Sequence, residues 1–309
     1  MAVIKRIATS NEMRKHYNVV KRMTGGMKFN ENMVNINWKR VRRICDIGYS
    51  FMPKEKGVKF KKVDLNGINA IMSVPRDIKS DGIVLYIHGG GLVSGSAKGT
   101  KGYCSMLAKK IGCRVFSIDY SLAPEHKYPA AVDDCFKAYC EIKKLYPRSK
   151  VALSGESGGA YLCYALIVRC ANRNVEIPSC VVAHSGAFDM GGTLERNLDE
   201  IDDITVSMAA YDAALQLYAP DEDVTNPEIS PLFFEDISKF PPAVFTCDSK
   251  EVLKAESYAM YEKYTEAGIE ATLYEFENTF HAFAPIGTMA PETTQLLEEN
   301  GEFIRKHIK

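Results

Sequence analysis

Short apolar segments alternate with longer segments of helical character through most of this chain of 309 residues. The pattern predicts eight strands, near residues 58–63, 68–74, 83–88, 113–118, 150–155, 180–185, 243–247 and 271–276. It predicts helices near residues 100–111, 130–145, 158–172, 254–267 and 292–307. Because helices between strands serve as crossovers, this order indicates an α/β fold with a mostly parallel sheet and helices on both faces.

Size and composition are those of an ordinary globular α/β protein. A chain of 309 residues with 46% apolar and 25% charged residues can bury a large core in one domain with a modest insertion. The 39 basic residues balance the 39 acidic residues, so no net field favours nucleic acid or an anionic membrane. We therefore expect a small-molecule partner and no nucleic acid, and we leave a homodimer open.

Residues 1–10 contain no apolar signal-peptide core, and no run approaches the roughly 18 apolar residues of a membrane span. The chain has nine cysteines, an odd number, without a C-x-x-C pair. This usage favours unpaired thiols in a reducing compartment over disulfides or zinc. The sequence thus predicts a cytoplasmic protein with no metal and no cofactor.

A glycine-rich turn follows the predicted strand 150–155. Its sequence is Gly155-Glu156-Ser157-Gly158-Gly159, a G-x-S-x-G pattern between a strand and a helix. Glycines at both ends permit a tight turn that presents Ser157 to a substrate, and the positive end of the next helix would stabilise an oxyanion there. Ser157 is therefore a candidate nucleophile, although an ordinary glycine-rich turn without catalytic function can have the same sequence pattern.

A second glycine cluster, His88-Gly89-Gly90-Gly91, follows the apolar strand at residues 83–87. Successive glycines let backbone N–H groups approach a ligand closely, as an oxyanion hole requires. The alternative is a dinucleotide-binding loop, because Gly89, Gly91 and Gly95 also follow a strand. That site needs an acidic residue about 20 residues further on, and Asp119 lies well beyond this spacing. No G-K-[ST] triplet indicates a P-loop either.

Together these motifs resemble those of the hormone-sensitive-lipase-like branch of the α/β-hydrolases, the bacterial esterases with an H-G-G-G motif. The similar segments are 88–91, 119–131 (D-Y-S-L-A-P-E-H-K-Y-P-A-A), 155–159, 226–233 and 240–243. The chain departs from the family pattern in two places. It has Ser121 where arginine is usual, and Gly-Glu-Ser-Gly-Gly at residues 155–159 where the family has G-D-S-A-G. The resemblance covers about residue 60 to the C-terminus.

The resemblance and the residue chemistry together imply a Ser-His-acid triad. A serine hydroxyl needs a neighbouring base, and histidine is the natural one. His281 follows the last predicted strand and matches the family's H-x-F element, so we expect it to be the base. The amides of Gly89, Gly90 and Gly158 are the expected oxyanion donors. The resemblance further implies that His88 orients the glycine loop.

Two acidic residues follow the strand at residues 243–247, and both are candidates for the third member. Glu251 opens a Glu-Val-Leu segment similar to the family's acid-x-Leu pattern, whereas Asp248 does not. Glu251 also lies 30 residues before His281, a spacing associated with the family (281 − 251 = 30). We favour Glu251, with Asp248 as the alternative acid.

Two stretches interrupt the alternation of strands and helices. Residues 1–45 are predicted to be helical or loose, and residues 188–230 form an insertion. Ligands of α/β folds bind at the carboxyl ends of strands, so we interpret 1–45 as an N-terminal cap segment and 46–309 as a hydrolase domain carrying a cap insertion. Four residues of the insertion could line a pocket or pack within the cap: Met190, Met208, Tyr211 and Tyr218.

The expected activity is that of a serine carboxylesterase on small, short-chain esters of the acetyl type. An amide, formamide or peptide hydrolase on the same scaffold is an alternative, because the triad alone does not separate these reactions. A non-catalytic ligand-binding relative is less favoured, since a nucleophile, a base and an acid are all retained.

Overall fold

A computed structural model describes residues 1–24, 36–50 and 52–309 of the chain. Its β-strands form one sheet. The strands are β1 (Ala2–Ile7), β2 (Val58–Leu65), β3 (Ile68–Pro75), β4 (Ile83–Ile87), β5 (Arg114–Ile118), β6 (Val151–Glu156), β7 (Val181–His184), β8 (Ala243–Asp248) and β9 (Ala271–Glu277).

Eight α-helices are found in the same described ranges. They are α1 (Asn11–Thr24), α2 (Trp38–Ser50), α3 (Lys101–Ile111), α4 (Ala130–Leu145), α5 (Gly158–Asn172), α6 (Met208–Tyr218), α7 (Lys254–Glu266) and α8 (Pro291–His307). None of the helices described is long and apolar enough to cross a membrane.

The sequence predicted the eight strands β2 to β9 and the five helices α3, α4, α5, α7 and α8 within about two residues. It was wrong about the start of the chain, where residues 2–7 were expected to be helical or loose. They form β1, which pairs in parallel with β9, so the sheet formed by the described residues has nine strands and not eight.

The strand order β1-β9-β8-β7-β6-β4-β5-β3-β2 explains where a ligand can bind. The pairs β2–β3 and β3–β5 are antiparallel, and the other neighbours are parallel. β4 pairs with β5 on one side and with β6 on the other, so the chain reverses its direction of winding between β4 and β6. Such a switch point opens a crevice at the carboxyl ends of the strands.

Apolar side chains cover both faces of the sheet. One core cluster includes α4, α5 and α7, and the other includes α3 and α8. Every residue of α5 from Gly158 to Ala171 is buried, so this helix is central to the fold. Burial on all sides fixes the start of α5 relative to β4 and β6, and hence the position of the residue that precedes it.

The two irregular stretches contain further helices. Residues 1–45 include β1, α1 and the first part of α2, while residues 25–35 lie outside the described part of the chain. The insertion segment, residues 188–230, contains α6 and a short 3-10 turn at Leu198–Glu200. Met190, Tyr211 and Tyr218 of this segment are buried in the core, and Met208 packs against it, which favours packing over pocket lining.

Candidate active site

Ser157 occupies a strained turn between β6 and α5. Its φ of 53° and ψ of −125° lie outside the regions that non-glycine residues usually adopt. A Cβ at Gly155 would lie 2.7 Å from the backbone of Gly159, and one at Gly159 would lie 2.1 Å from the carbonyl oxygen of Ile87. The two glycines therefore allow a turn that aims the Ser157 hydroxyl at the carboxyl edge of the sheet.

The imidazole of His281 lies between Ser157 and Glu251. Its Nε2 is 2.9 Å from Ser157 Oγ, and its Nδ1 is 3.2 Å from Glu251 Oε2. His281 and Glu251 are both buried. Ser157 follows β6, Glu251 follows β8 and His281 follows β9. The three residues thus form a continuous chain of hydrogen bonds.

Charges around His281 favour its protonated form. Burial by itself would lower the pKa of the imidazole, but the hydrogen bond and charge of Glu251 raise it, with smaller contributions from Asp203 and Asp248. The net result is a pKa above the usual value of histidine. A base of this kind can take a proton from serine and hold it while the carboxylate stabilises the imidazolium.

Asp248, the alternative acid, contacts a different partner. Its Oδ2 accepts hydrogen bonds from the Thr279 hydroxyl at 2.6 Å and the Thr279 amide at 3.1 Å, and its Oδ1 accepts one from the Lys250 amide. Asp248 therefore holds the loop that carries His281, whereas Glu251 contacts the imidazole itself.

The glycine loop after β4 lies beside Ser157, but one of its three predicted donors is already engaged. The Gly89 amide donates to Glu156 Oε1 at 2.8 Å, so it is not free for an oxyanion. The amides of Gly90 and Gly158 donate no hydrogen bond to any residue in the described ranges. Gly90 has a φ of 111°, and a Cβ there would lie 2.4 Å from the carbonyl oxygen of Ser94.

His88 is buried beneath this loop. Its ring stacks on Tyr120 with centroids 4.3 Å apart, and its Nδ1 lies 2.8 Å from the carbonyl oxygen of Gly89. The Tyr120 hydroxyl donates to the His88 carbonyl oxygen at 2.8 Å. Burial lowers the pKa of His88, which favours a neutral ring that packs and donates.

The sequence did not reveal the role of Glu156. Its carboxyl group accepts the Gly89 amide and the hydroxyl of the buried residue Tyr86, and so it connects the Ser157 turn to the glycine loop. Burial raises the pKa of Glu156 to about 7, although these hydrogen bonds act in the opposite direction. The only available signal was an acidic residue inside a buried, glycine-rich turn.

Ser185 is a second residue that the sequence did not single out. It follows β7 with a φ of 50°, and its hydroxyl donates to Glu251 Oε2 at 2.7 Å. The hydroxyl oxygen of Ser185 in turn accepts a hydrogen bond from the amide of Ala282 at 3.0 Å. Ser185 thereby joins the carboxylate of Glu251 to the loop of His281. The sequence alone could not predict this contact, because it depends on the pairing of β7 with β8.

Comparison with known proteins agrees with this architecture. Residues 84–285 match the family described as alpha/beta hydrolase fold. An esterase of Acinetobacter venetianus is 27% identical over 88% of this chain and 90% of its own length. An acetyl-hydrolase of Streptomyces hygroscopicus is 28% identical over 74% of this chain and 78% of its own length.

A solved structure gives the same result at the level of the fold. The crystal structure of an esterase from the bacterial hormone-sensitive lipase family superposes with a TM-score of 0.88. The two chains are 27% identical, and the match covers 98% of this chain and all of the other. The chain therefore belongs to the α/β-hydrolase family, in its hormone-sensitive-lipase-like branch, and is a hydrolase.

Proposed function

We propose that the chain is a serine carboxylesterase that hydrolyses small, short-chain esters through an acyl-enzyme at Ser157. The observation that carries this proposal is the hydrogen-bonded series Glu251, His281 and Ser157 at the carboxyl edge of the sheet. The acetyl-hydrolase name of the Streptomyces relative supports a short acyl group.

In the first half of the reaction, Ser157 Oγ attacks the carbonyl carbon of the ester while His281 Nε2 takes the hydroxyl proton. Glu251 holds Nδ1 and stabilises the imidazolium that forms. The bond to the alcohol oxygen then breaks, and His281 returns its proton to that oxygen. The products of this half are the free alcohol and an acyl group on Ser157.

In the second half, water loses a proton to His281 and attacks the acyl carbon. The bond to Ser157 Oγ breaks, the serine recovers its proton, and the carboxylic acid leaves. The amides of Gly90 and Gly158 are our candidates for holding the oxyanion in both halves. They donate to no residue in the described ranges, Gly158 follows Ser157 directly, and Gly90 follows Gly89, which lies against Ser157. Gly89, which the sequence also suggested, is left out because Glu156 accepts its N–H.

The first test compares p-nitrophenyl acetate with the matching nitroanilide in the wild type and in Ser157→Ala. We expect ester turnover to exceed anilide turnover, and the variant to lose at least about 10⁴-fold in kcat while remaining folded. A matched control is Ser154→Ala, since the buried Ser154 hydroxyl has no hydrogen-bond partner among the described residues.

Each other outcome would change the proposal in a defined way. Faster anilide turnover would indicate an amide or peptide hydrolase. Undiminished activity in Ser157→Ala would refute the nucleophile. Absence of turnover together with tight ligand binding would indicate a non-catalytic binding protein.

We also propose a cytoplasmic location, supported by nine cysteines that are all unpaired.

A further inference from the structure

The insertion segment meets the catalytic acid at a specific place. The acid turn, residues 249–252, connects β8 to α7 and carries Glu251. Asp203 Oδ2 accepts the amide of Val252 at 3.2 Å, and the amide of Asp202 donates to the carbonyl oxygen of Lys250 at 3.1 Å. Two consecutive residues of the insertion thus hold the acid turn on both sides of Glu251.

The carboxylate of Asp203 is fixed from its other side as well. Its Oδ1 accepts the Thr205 amide at 2.8 Å, the Thr205 hydroxyl at 2.6 Å and the Val206 amide at 3.0 Å. These contacts leave the side chain little freedom to rotate. A carboxylate held at both oxygens is a rigid connection between the insertion segment and the acid turn.

We propose that Asp203 is a positioning residue of the triad, which fixes the turn carrying Glu251 and adds a second negative charge beside that turn. The inference rests on the proposed function and extends it to the insertion segment. That segment then contributes to the chemistry through Asp203, in addition to any part it has in shaping a pocket.

Several titratable groups surround the imidazole, and each belongs to a different loop or element. Glu251 contacts it from the acid turn, while Asp248 at the end of β8, Asp203 in the insertion segment and Glu156 in the Ser157 turn interact with its charge. The charge of Asp203 also acts on Tyr17 of α1. Glu251, Asp203 and Asp248 all raise the pKa of His281 against the effect of burial.

The Asp203 charge should change the pH dependence of catalysis in a defined direction. His281 accepts a proton only when it is neutral, so kcat/KM rises with pH as the imidazole deprotonates. A raised pKa moves this rise to higher pH. Removal of the Asp203 charge should therefore move the rise to lower pH.

The test is the pH profile of kcat/KM for Asp203→Asn with p-nitrophenyl acetate. We expect the acid limb to move down by roughly half a pH unit, as for a partly exposed charge interaction. An asparagine offers one acceptor oxygen and cannot serve both sets of donors. We therefore also expect kcat to fall roughly fivefold with little change in KM.

Asp202→Asn is the matched control, because the exposed Asp202 side chain has no hydrogen-bond partner in the described ranges and contacts the turn through its backbone. Asp203→Glu should restore the position of the acid limb. Asp203→Ser is a second neutral variant that keeps a capping oxygen, and it serves if Asp203→Asn does not fold.

An unmoved acid limb in a folded, neutral variant would overturn the proposal, and so would an equal shift in Asp202→Asn. A loss of kcat without any shift would indicate a purely structural role. None of these results would affect the proposed esterase function, which is tested separately by Ser157→Ala and by the comparison of ester and anilide turnover.

Discussion

At the residue scale, the site depends on three side chains that lie far apart in the sequence, at positions 157, 251 and 281. Ser157 is held in a strained conformation by its own turn, and the turn is possible because Gly155 and Gly159 lack side chains. Partners from other loops hold His281 and Glu251 in place. The Ser185 hydroxyl accepts the amide of Ala282, next to His281, and donates to Glu251. The carboxylate of Asp203 accepts the amide of Val252, next to Glu251. The alignment of the three groups is therefore a property of their surroundings.

Glu251 and Asp248 should respond differently to loss of charge. We expect Glu251→Gln to lower kcat by about 10²–10⁴-fold, because the imidazolium loses its stabilising carboxylate and its tautomer is no longer fixed. Asp248→Asn should lower kcat by less than about tenfold, because its contacts are to Thr279 and Lys250. Steady-state kinetics on the two variants measure this directly, and a larger loss for Asp248→Asn would reverse the assignment.

At the element scale, the crossing of β4, β6 and α5 sets the distance between the proposed nucleophile and the proposed oxyanion donors. Gly159 lies in the first turn of α5, directly against the end of β4. A Cβ at Gly159 would come within 2.1 Å of the Ile87 carbonyl oxygen and 2.5 Å of the His88 carbonyl oxygen. The backbone of Ile87 and His88 cannot make room for a side chain at Gly159 without shifting the glycine loop that follows.

Gly159→Ala should therefore damage stability and activity together. We expect a loss of about 1–3 kcal/mol in the free energy of unfolding, from overpacking, and a fall in kcat as the loop shifts. Gly301→Ala in α8 is the control, because its nearest neighbour would be the flexible side chain of Lys110 at 3.1 Å. Denaturant unfolding and steady-state assays measure both effects, and wild-type behaviour in Gly159→Ala would contradict the packing account.

At the scale of the whole molecule, long-range pairing decides what the sequence could and could not predict. Buried strands and helices have continuous apolar patterns, so β2 to β9 and five helices were predictable. β1 was missed because it is a six-residue edge strand that contains Lys5 and Arg6. Its strand conformation depends on pairing with β9, nearly 270 residues away, and on the Arg6–Glu299 ion pair.

The same reasoning applies to the site. Ser157, His281 and the glycine loop carry local patterns that made them candidates, and the structure brings Ser157 and His281 within hydrogen-bond distance. The Glu-Val-Leu segment and the spacing to His281 favoured Glu251 over Asp248, and Glu251 is the residue that contacts the imidazole. The engagement of the Gly89 amide by Glu156 and the contacts of Ser185 and Asp203 depend on which loops the sheet brings together. No local pattern in the chain contains that information.

The pH dependence of folding should reflect the buried carboxyl of Glu156. Its pKa is about 7 in the folded protein against an ordinary value of 4.5, so the folded state binds more protons between these values. Stability from this group is therefore lost as the pH rises from 4.5 to 7 and stays constant above that. Glu156→Gln, which is neutral throughout, should not show this loss.

We expect the free energy of unfolding of Glu156→Gln, relative to the wild type, to increase by about 1–3 kcal/mol between pH 5 and pH 8. Urea unfolding at the two pH values measures this difference. A difference that does not change with pH would show that Glu156 is ionised in the folded protein throughout the range.

The most direct test of the central claim is to trap the acyl-enzyme. Wild-type protein treated with a fluorophosphonate probe, or quenched during turnover of a nitrophenyl ester, would be digested and its peptides analysed by mass spectrometry. We expect a single adduct on Ser157 that is strongly reduced in His281→Ala. Ester turnover with Ser157 unmodified, or with the adduct on another residue, would contradict it.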